Sequence, residues 1–274
     1  MKSDHASNLL APMNPLQRSL IEKTGHDNGF EYVLPGEMQQ VQQVALASAQ
    51  HPARVSVAVV GQAFEAHIDS GSTTLAQELE RTFATRLPNS AVFVLPTEAL
   101  LAQWLRRAAA LSQALPNQAV TAFEQRVQVE LAQMPASAAQ NTEVLRMVRQ
   151  RVGQQAYRQA MLDYWGGACA VTGLALPQAL RASHAKPWAE CATDAERLDV
   201  FNGFLLSANL DALFDNFLIS FSDDGRLLVS KQIAPCDRER LGLGAPGAMR
   251  LRWVARQHQT YLDFHRERFA RLFP

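Results

Sequence analysis

The sequence predicts an α+β protein of two domains, and three observations carry that reading. Between residues 30 and 115, segments with helical apolar spacing alternate with short β-rich runs, as in a small mixed α/β domain. A small, polar, proline-containing stretch, "MPASAAQN" at 134–141, then interrupts the pattern. Beyond it a long helix leads into two extended pieces and a short helix, a strand–strand–helix unit with flanking helices. The expected domains are residues 1–135 and 136–274.

The first thirty residues, with Pro12, Pro15 and Gly25, read as irregular. From Pro35, "PGEMQQVQQVALASAQ" reads as a helix, because Met38, Val41 and Val44/Ala45 recur at helical spacing. "RVSVAVVGQAFEAHID" (54–69) holds two β-rich runs broken at Gly61, the pattern of a hairpin or a bulged strand. "STTLAQELERTFATRL" (72–87) reads as a helix capped by Thr73 or Thr74. "AVFVLP" (91–96) reads as a buried strand stopped by Pro96, and 97–115 as an amphipathic helix ended by Pro116. Residues 117–134 make another helix, and 142–167 a long one bearing Arg146, Arg149, Arg151 and Arg158. Those arginines suit either a solvated helix face or contact with phosphates.

Composition narrows the class. With 47% hydrophobic and 19% charged residues the chain can build a sizeable core and is not of disordered composition. No apolar run approaches a membrane span, and the first twenty residues lack an uninterrupted apolar signal core. Cys169, Cys191 and Cys236 lie far apart and form no C-x-x-C pair, which speaks against a structural zinc site and a disulfide framework. These features lead us to expect a cytoplasmic protein. Residues 1–135 carry 9 Lys/Arg against 12 Asp/Glu, and 136–274 carry 17 against 14, so the overall zero charge is mildly polarised. A basic C-terminal half permits a nucleic-acid face without requiring one.

The informative stretch starts at "CAVTG" (169–173), which reads as a strand ending in a turn. A second extended piece carries His184 and is stopped by Pro187. Residues 189–201 read as a polar loop, "NGFLLS" (202–207) as a turn entering a strand, and "ANLDALFDN" (208–216) as a short helix with Ser207 at its N-cap. Asp211 and Asp215, four apart, share one face of that helix. "LISFSDDGRLLVS" (218–230) reads as a hairpin turning on Asp-Asp-Gly. His184, Asn202 and Asp211 therefore fall on strand, strand and helix in succession.

With "SHAKPW" at 183–188, "NGFLLS" at 202–207 and "LDALFD" at 210–215, the stretch resembles the HNH nucleases, the ββα-metal endonucleases. "YLDFHRERF" (261–269) extends the likeness, which covers roughly residues 145–270. The resemblance implies metal-dependent hydrolysis of phosphodiester bonds in DNA, and the residue types suit that chemistry. His184 titrates near neutrality and can take a proton from water as general base. Asp211, at the third motif position, is a hard oxygen ligand suited to Mg²⁺ or Mn²⁺. Asn202 is implied to hold the loop that orients the base. The residue before the base, often an acidic ligand in such nucleases, is Ser183 here, so Asp215 is the candidate second ligand, with a helix-end or turn-capping role as its alternative. Arg158 and Arg181 are candidate phosphate contacts, a plain surface role for Arg181 being the alternative. His265 and Trp188 read as packing residues.

The expected protein is thus a DNA endonuclease of restriction or defence type. Its N-terminal domain would select DNA, modified bases included, or would dimerise the chain. A homodimer is expected for double-strand cutting, and no membrane partner. Two alternatives stand beside it: a non-catalytic DNA- or partner-binding protein with a degenerate ββα unit, favoured by Ser183, and an antibacterial toxin nuclease.

Overall fold

In the computed structural model, residues 13–35, 42–70, 73–83, 87, 91–116, 118–135, 141–244 and 248–272 are described. The chain divides into two compact units, Met1–Gln113 and Ala114–Pro274.

The first unit opens with helix α1 (Pro15–Asp27) in the segment expected to be irregular. Asn14 and Gln17 close a reciprocal capping box at its start, so two orphan amides are satisfied and Pro15 takes the first helical position, where no N–H is needed. A five-stranded antiparallel meander follows: β1 (Tyr32–Leu34), β2 (Gln43–Ala47), β3 (Arg54–Val60), β4 (Ala63–Ile68) and β5 (Val92–Leu95), paired in chain order. The helix expected from Pro35 is therefore corrected. Residues 36–41 lie outside the described residues, and 43–47 form β2. There Val44 and Leu46 are fully buried at a spacing of two, and pairing with β1 and β3 on either side decides the conformation over local spacing. The 54–69 hairpin forms as expected, with Gly61 at φ +62° in its turn. Helices α2 (Thr73–Thr82) and α3 (Glu98–Ala114) complete the unit, and Trp104 of α3 packs on Phe93 of β5 with ring centroids 5.4 Å apart.

The second unit begins with α4 (Gln118–Ala132), which packs along the long α5 (Thr142–Trp165). Residues 136–140 of the expected linker lie outside the described residues. Asn141 caps α5 by accepting from the Glu143 and Val144 amides, and Gly166 ends it in the left-handed conformation at φ +64°. Two strands, β6 (Leu180–His184) and β7 (Gly203–Ser207), pair antiparallel with His184 opposite Gly203. Between them lies α6 (Asp194–Leu198), capped by Thr193, where a plain loop was expected. Helix α7 (Ala208–Asp215) follows β7 directly. Then come the hairpin β8 (Ile219–Phe221) and β9 (Leu227–Val229), α8 (Pro235–Arg240) and α9 (His258–Leu272). "CAVTG" is a turn rather than a strand: the Gly173 amide reaches back to the Cys169 carbonyl, and the Cys169 thiol accepts from the Val171 and Thr172 amides. Those bonds fold the chain back on itself, although the Ala170 amide also donates to the Leu205 carbonyl of β7 at 2.6 Å.

Candidate active site

β6, β7 and α7 form a ββα unit braced by α5. The tight point of the brace is Gly203, at φ +150°. A Cβ there would lie 1.9 Å from the Ser183 carbonyl oxygen and 2.5 Å from the Tyr157 hydroxyl, so only glycine allows the strands and α5 to approach this closely.

His184 ends β6. Its Nε2 lies 2.9 Å from the Arg197 carbonyl, near the C-terminal end of α6, and a carbonyl can only accept, so Nε2 carries the proton. Nδ1 then keeps its lone pair and has no hydrogen-bond partner among the described residues. The ring stacks on Tyr157 at 3.8 Å and 19°, and meets Trp188 edge-on. Burial lowers its pKa to about 4, partly offset by the bond to Arg197, so the imidazole is neutral at physiological pH.

Asn202 is fully buried and ties the 185–196 loop together. Its Oδ1 accepts from the Lys186 amide at 2.8 Å, and the two Nδ2 hydrogens are shared among the Glu196 carbonyl (3.0 Å), the Lys186 carbonyl (3.2 Å) and the Cys191 sulfur (3.3 Å). The Asn202 carbonyl in turn accepts from the Tyr157 hydroxyl at 2.9 Å. One buried amide thus connects the start of the loop to α6, whose carbonyl holds His184.

The two aspartates lie on one face of α7. Asp211 Oδ1 accepts from the buried Ser183 hydroxyl at 2.5 Å. Asp215 keeps part of its surface in solvent while its covered side lines a cavity of about 310 Å³ together with Ala182, His184, Pro187, Trp188, Phe214, Phe217 and His265. Its pKa is pushed up to about 6, first by burial and second by the charge of Asp211. The cavity therefore brings His184 and Asp215 together, while Asp211 faces Ser183 one helical turn away.

A carboxylate pair in which Asp211 adds to the cost of ionising Asp215 suits a hard divalent cation whose remaining ligands are water and phosphate. Among the described residues no group of three His, Cys, Asp or Glu is placed to hold a metal, so the fit is to an open two-carboxylate site, not a closed cage.

The arginines divide. Arg158, a candidate phosphate contact, has one terminal nitrogen on the Leu180 carbonyl and the other on the Pro177 carbonyl, so it braces the approach to β6. Arg181 is exposed, with one nitrogen anchored on the Gln178 and Leu180 carbonyls. Arg149 joins Glu124 and Asp194, and Arg151 pairs with Glu130. His265 is a packing residue: it stacks on Phe214 at 3.8 Å and 5°, with its nitrogens on Ser220 Oγ and the Phe214 carbonyl. Tyr157 and Arg197, which hold His184 from two sides, escaped sequence reasoning. Arg197 gives no motif signal, since its contribution is a backbone carbonyl.

A strand pair crossed by a helix, with histidine ending the first strand and a carboxylate on the helix, defines the ββα class of nuclease folds. Residues 169–222, which span all of these elements, match the family described as HNH endonuclease, and no family match covers the N-terminal region. No curated protein matches the chain. The family is one of divalent-metal nucleases acting on DNA, so the C-terminal half supports a nuclease-type function. Among the described residues no helix is long and apolar enough to cross a membrane.

Proposed function

We propose that the C-terminal unit is a metal-dependent DNA endonuclease in which His184 is the general base. The observation that carries this is the state of His184: neutral, its Nε2–H committed to the Arg197 carbonyl, and its Nδ1 left free on a ring that lines the same cavity as Asp215. In that tautomer Nδ1 takes a proton from a water aligned with phosphorus. Stacking on Tyr157 and the Asn202-tied loop hold the ring in one orientation. Asp211 and Asp215 would hold Mg²⁺ or Mn²⁺, with Ser183 orienting Asp211 rather than acting as a ligand. A divalent cation bound there supplies charge neutralisation at the phosphate and the departing oxygen. Arg181 stands at the edge of the site as a phosphate contact, and Arg158 positions β6 instead of touching substrate.

The N-terminal unit, Met1–Gln113 in the structure where the sequence suggested 1–135, would select the target, in keeping with a cytoplasmic restriction or defence role. Its mildly acidic charge suits a localised face or a base pocket better than general phosphate binding. Double-strand cuts would require two copies of the chain, since one site holds one base. A second reading, a non-catalytic DNA-binding unit, is favoured by one observation: the Ser183–Asp211 bond stands where an acidic ligand would complete a metal site.

Supercoiled plasmid incubated with the purified chain in Mg²⁺, Mn²⁺ or EDTA separates the two. Nicking with either metal and none in EDTA supports the enzyme. DNA binding without nicking under every condition supports the alternative.

A further inference from the structure

Phe217 is the one non-glycine residue with positive φ among the described residues, at +54°. It occupies the position just past the C-cap of α7, and its amide donates to the Phe214 carbonyl at 2.9 Å while the Leu218 amide donates to the Leu213 carbonyl at 2.8 Å. That pair of bonds is a Schellman motif, whose left-handed residue is usually glycine because a Cβ there meets the backbone. A bulky side chain in this slot is held against its backbone preference, and such strain collects at functional sites.

The ring that the strained backbone presents is half-buried. It leans on His265 at 4.7 Å and 38°, and His265 stacks on Phe214. Phe214, His265 and Phe217 all line the cavity that also holds His184 and Asp215, but Phe214 and His265 are buried against each other, so Phe217 is the ring of the three with surface left open. Both His265 nitrogens are hydrogen-bonded, and its pKa is lowered to about 4 by burial, so it is a neutral buried ring that backs Phe217. A cavity lined by the general base, a carboxylate and a half-buried phenylalanine ring suits a nucleotide whose phosphate lies beside His184 and whose base meets Phe217.

We propose that Phe217 is a substrate-positioning residue whose ring stacks on a nucleobase flanking the scissile phosphate. The proposal rests on the nuclease reading and adds the group that the Phe217 ring recognises. Stacking on an aromatic side chain is tolerant of base identity, so this contact sets where the phosphate sits relative to His184 and not which sequence is read. The competing role for Phe217 is packing against His265 alone.

The test uses duplex oligonucleotides whose cleavage position has been mapped with the wild-type full chain, each then carrying one abasic residue at a position flanking the cut. Removing the stacked base should lower the wild-type kcat/KM by about five- to a hundredfold at one position. Phe217→Gly, which relieves the left-handed strain, should keep the wild-type melting temperature, cut the intact duplex with a comparable loss, and show no further loss on the abasic one. If the glycine variant does not fold, Phe217→Asn, which tolerates the same backbone, takes its place, and the wild-type abasic scan decides independently. Equal kcat/KM on intact and abasic duplexes at every flanking position overturns the proposal, as does a folded Phe217→Gly enzyme that cuts the intact duplex at the wild-type rate. A wild-type chain that cuts no DNA with either metal removes the nuclease reading itself, which separates that failure from this one.

Discussion

Replacing Asn202 by alanine tests whether one buried amide sustains the site. The side chain satisfies the Lys186 amide and carbonyl, the Glu196 carbonyl and the Cys191 sulfur, all from a fully buried position. Alanine keeps none of these bonds. The Lys186 amide and Glu196 carbonyl are the clearest orphans. At about 1–3 kcal/mol for each buried group left unpaired, the variant should lose roughly 2–5 kcal/mol of stability. For a unit of this size that lowers the melting temperature by roughly 5–15 °C. The effect on activity follows from the loop: α6 carries the Arg197 carbonyl that orients His184, and a shift of that anchor by about 1 Å should cost on the order of 10²-fold in kcat. Thermal melting by circular dichroism and plasmid-nicking kinetics below the variant's transition read the two effects separately. An Asn202→Ala protein that melts and nicks like the wild type would refute the reasoning.

Three further outcomes are expected. Gly203→Ala places a Cβ 1.9 Å from the Ser183 carbonyl oxygen at φ +150°, and the protein should be recovered unfolded or lose about 4 kcal/mol or more in urea denaturation; a stable soluble variant contradicts this. The His184 ring should titrate by NMR near 4 instead of the ordinary 6.5. Since the unfolded chain then binds more protons, this residue makes stability fall as pH drops from 6.5 toward 4, whereas Asp215, raised to about 6, works in the opposite sense; a His184 midpoint at or above 6.5 counts against the assignment. Asp211→Asn and Asp215→Asn should each raise the Mn²⁺ concentration needed for half-maximal nicking by about tenfold or more, and an unchanged metal requirement in both would remove the aspartates from the metal site.

Much of the C-terminal unit was legible because its motifs coincide with backbone necessities. "NG" at 202–203 is a buried loop tie followed by a glycine that only a bare Cα can replace, and "LDALFD" places two carboxylates one turn apart. The β3–β4 hairpin was legible from alternation around Gly61. What stayed hidden depends on contacts distant in the chain. β2 reads as helix because Met38, Val41 and Val44 fall at helical spacing, while its two neighbouring strands, invisible to a local window, decide otherwise. The Arg158 guanidinium looked free for phosphate, and only the fold reveals that two backbone carbonyls occupy it. Arg197 acts through its main chain and Tyr157 through stacking across the packed α5, neither of which leaves a mark in residue type.

Whether His184 takes the proton in phosphodiester hydrolysis is decided by comparing His184→Ala with the wild-type chain in a plasmid-nicking assay with Mn²⁺, alongside DNA binding and melting temperature for both. The variant's rate should be lower by about 10²–10⁴-fold with binding retained and the fold intact. A folded His184→Ala protein that nicks plasmid at the wild-type rate would contradict it.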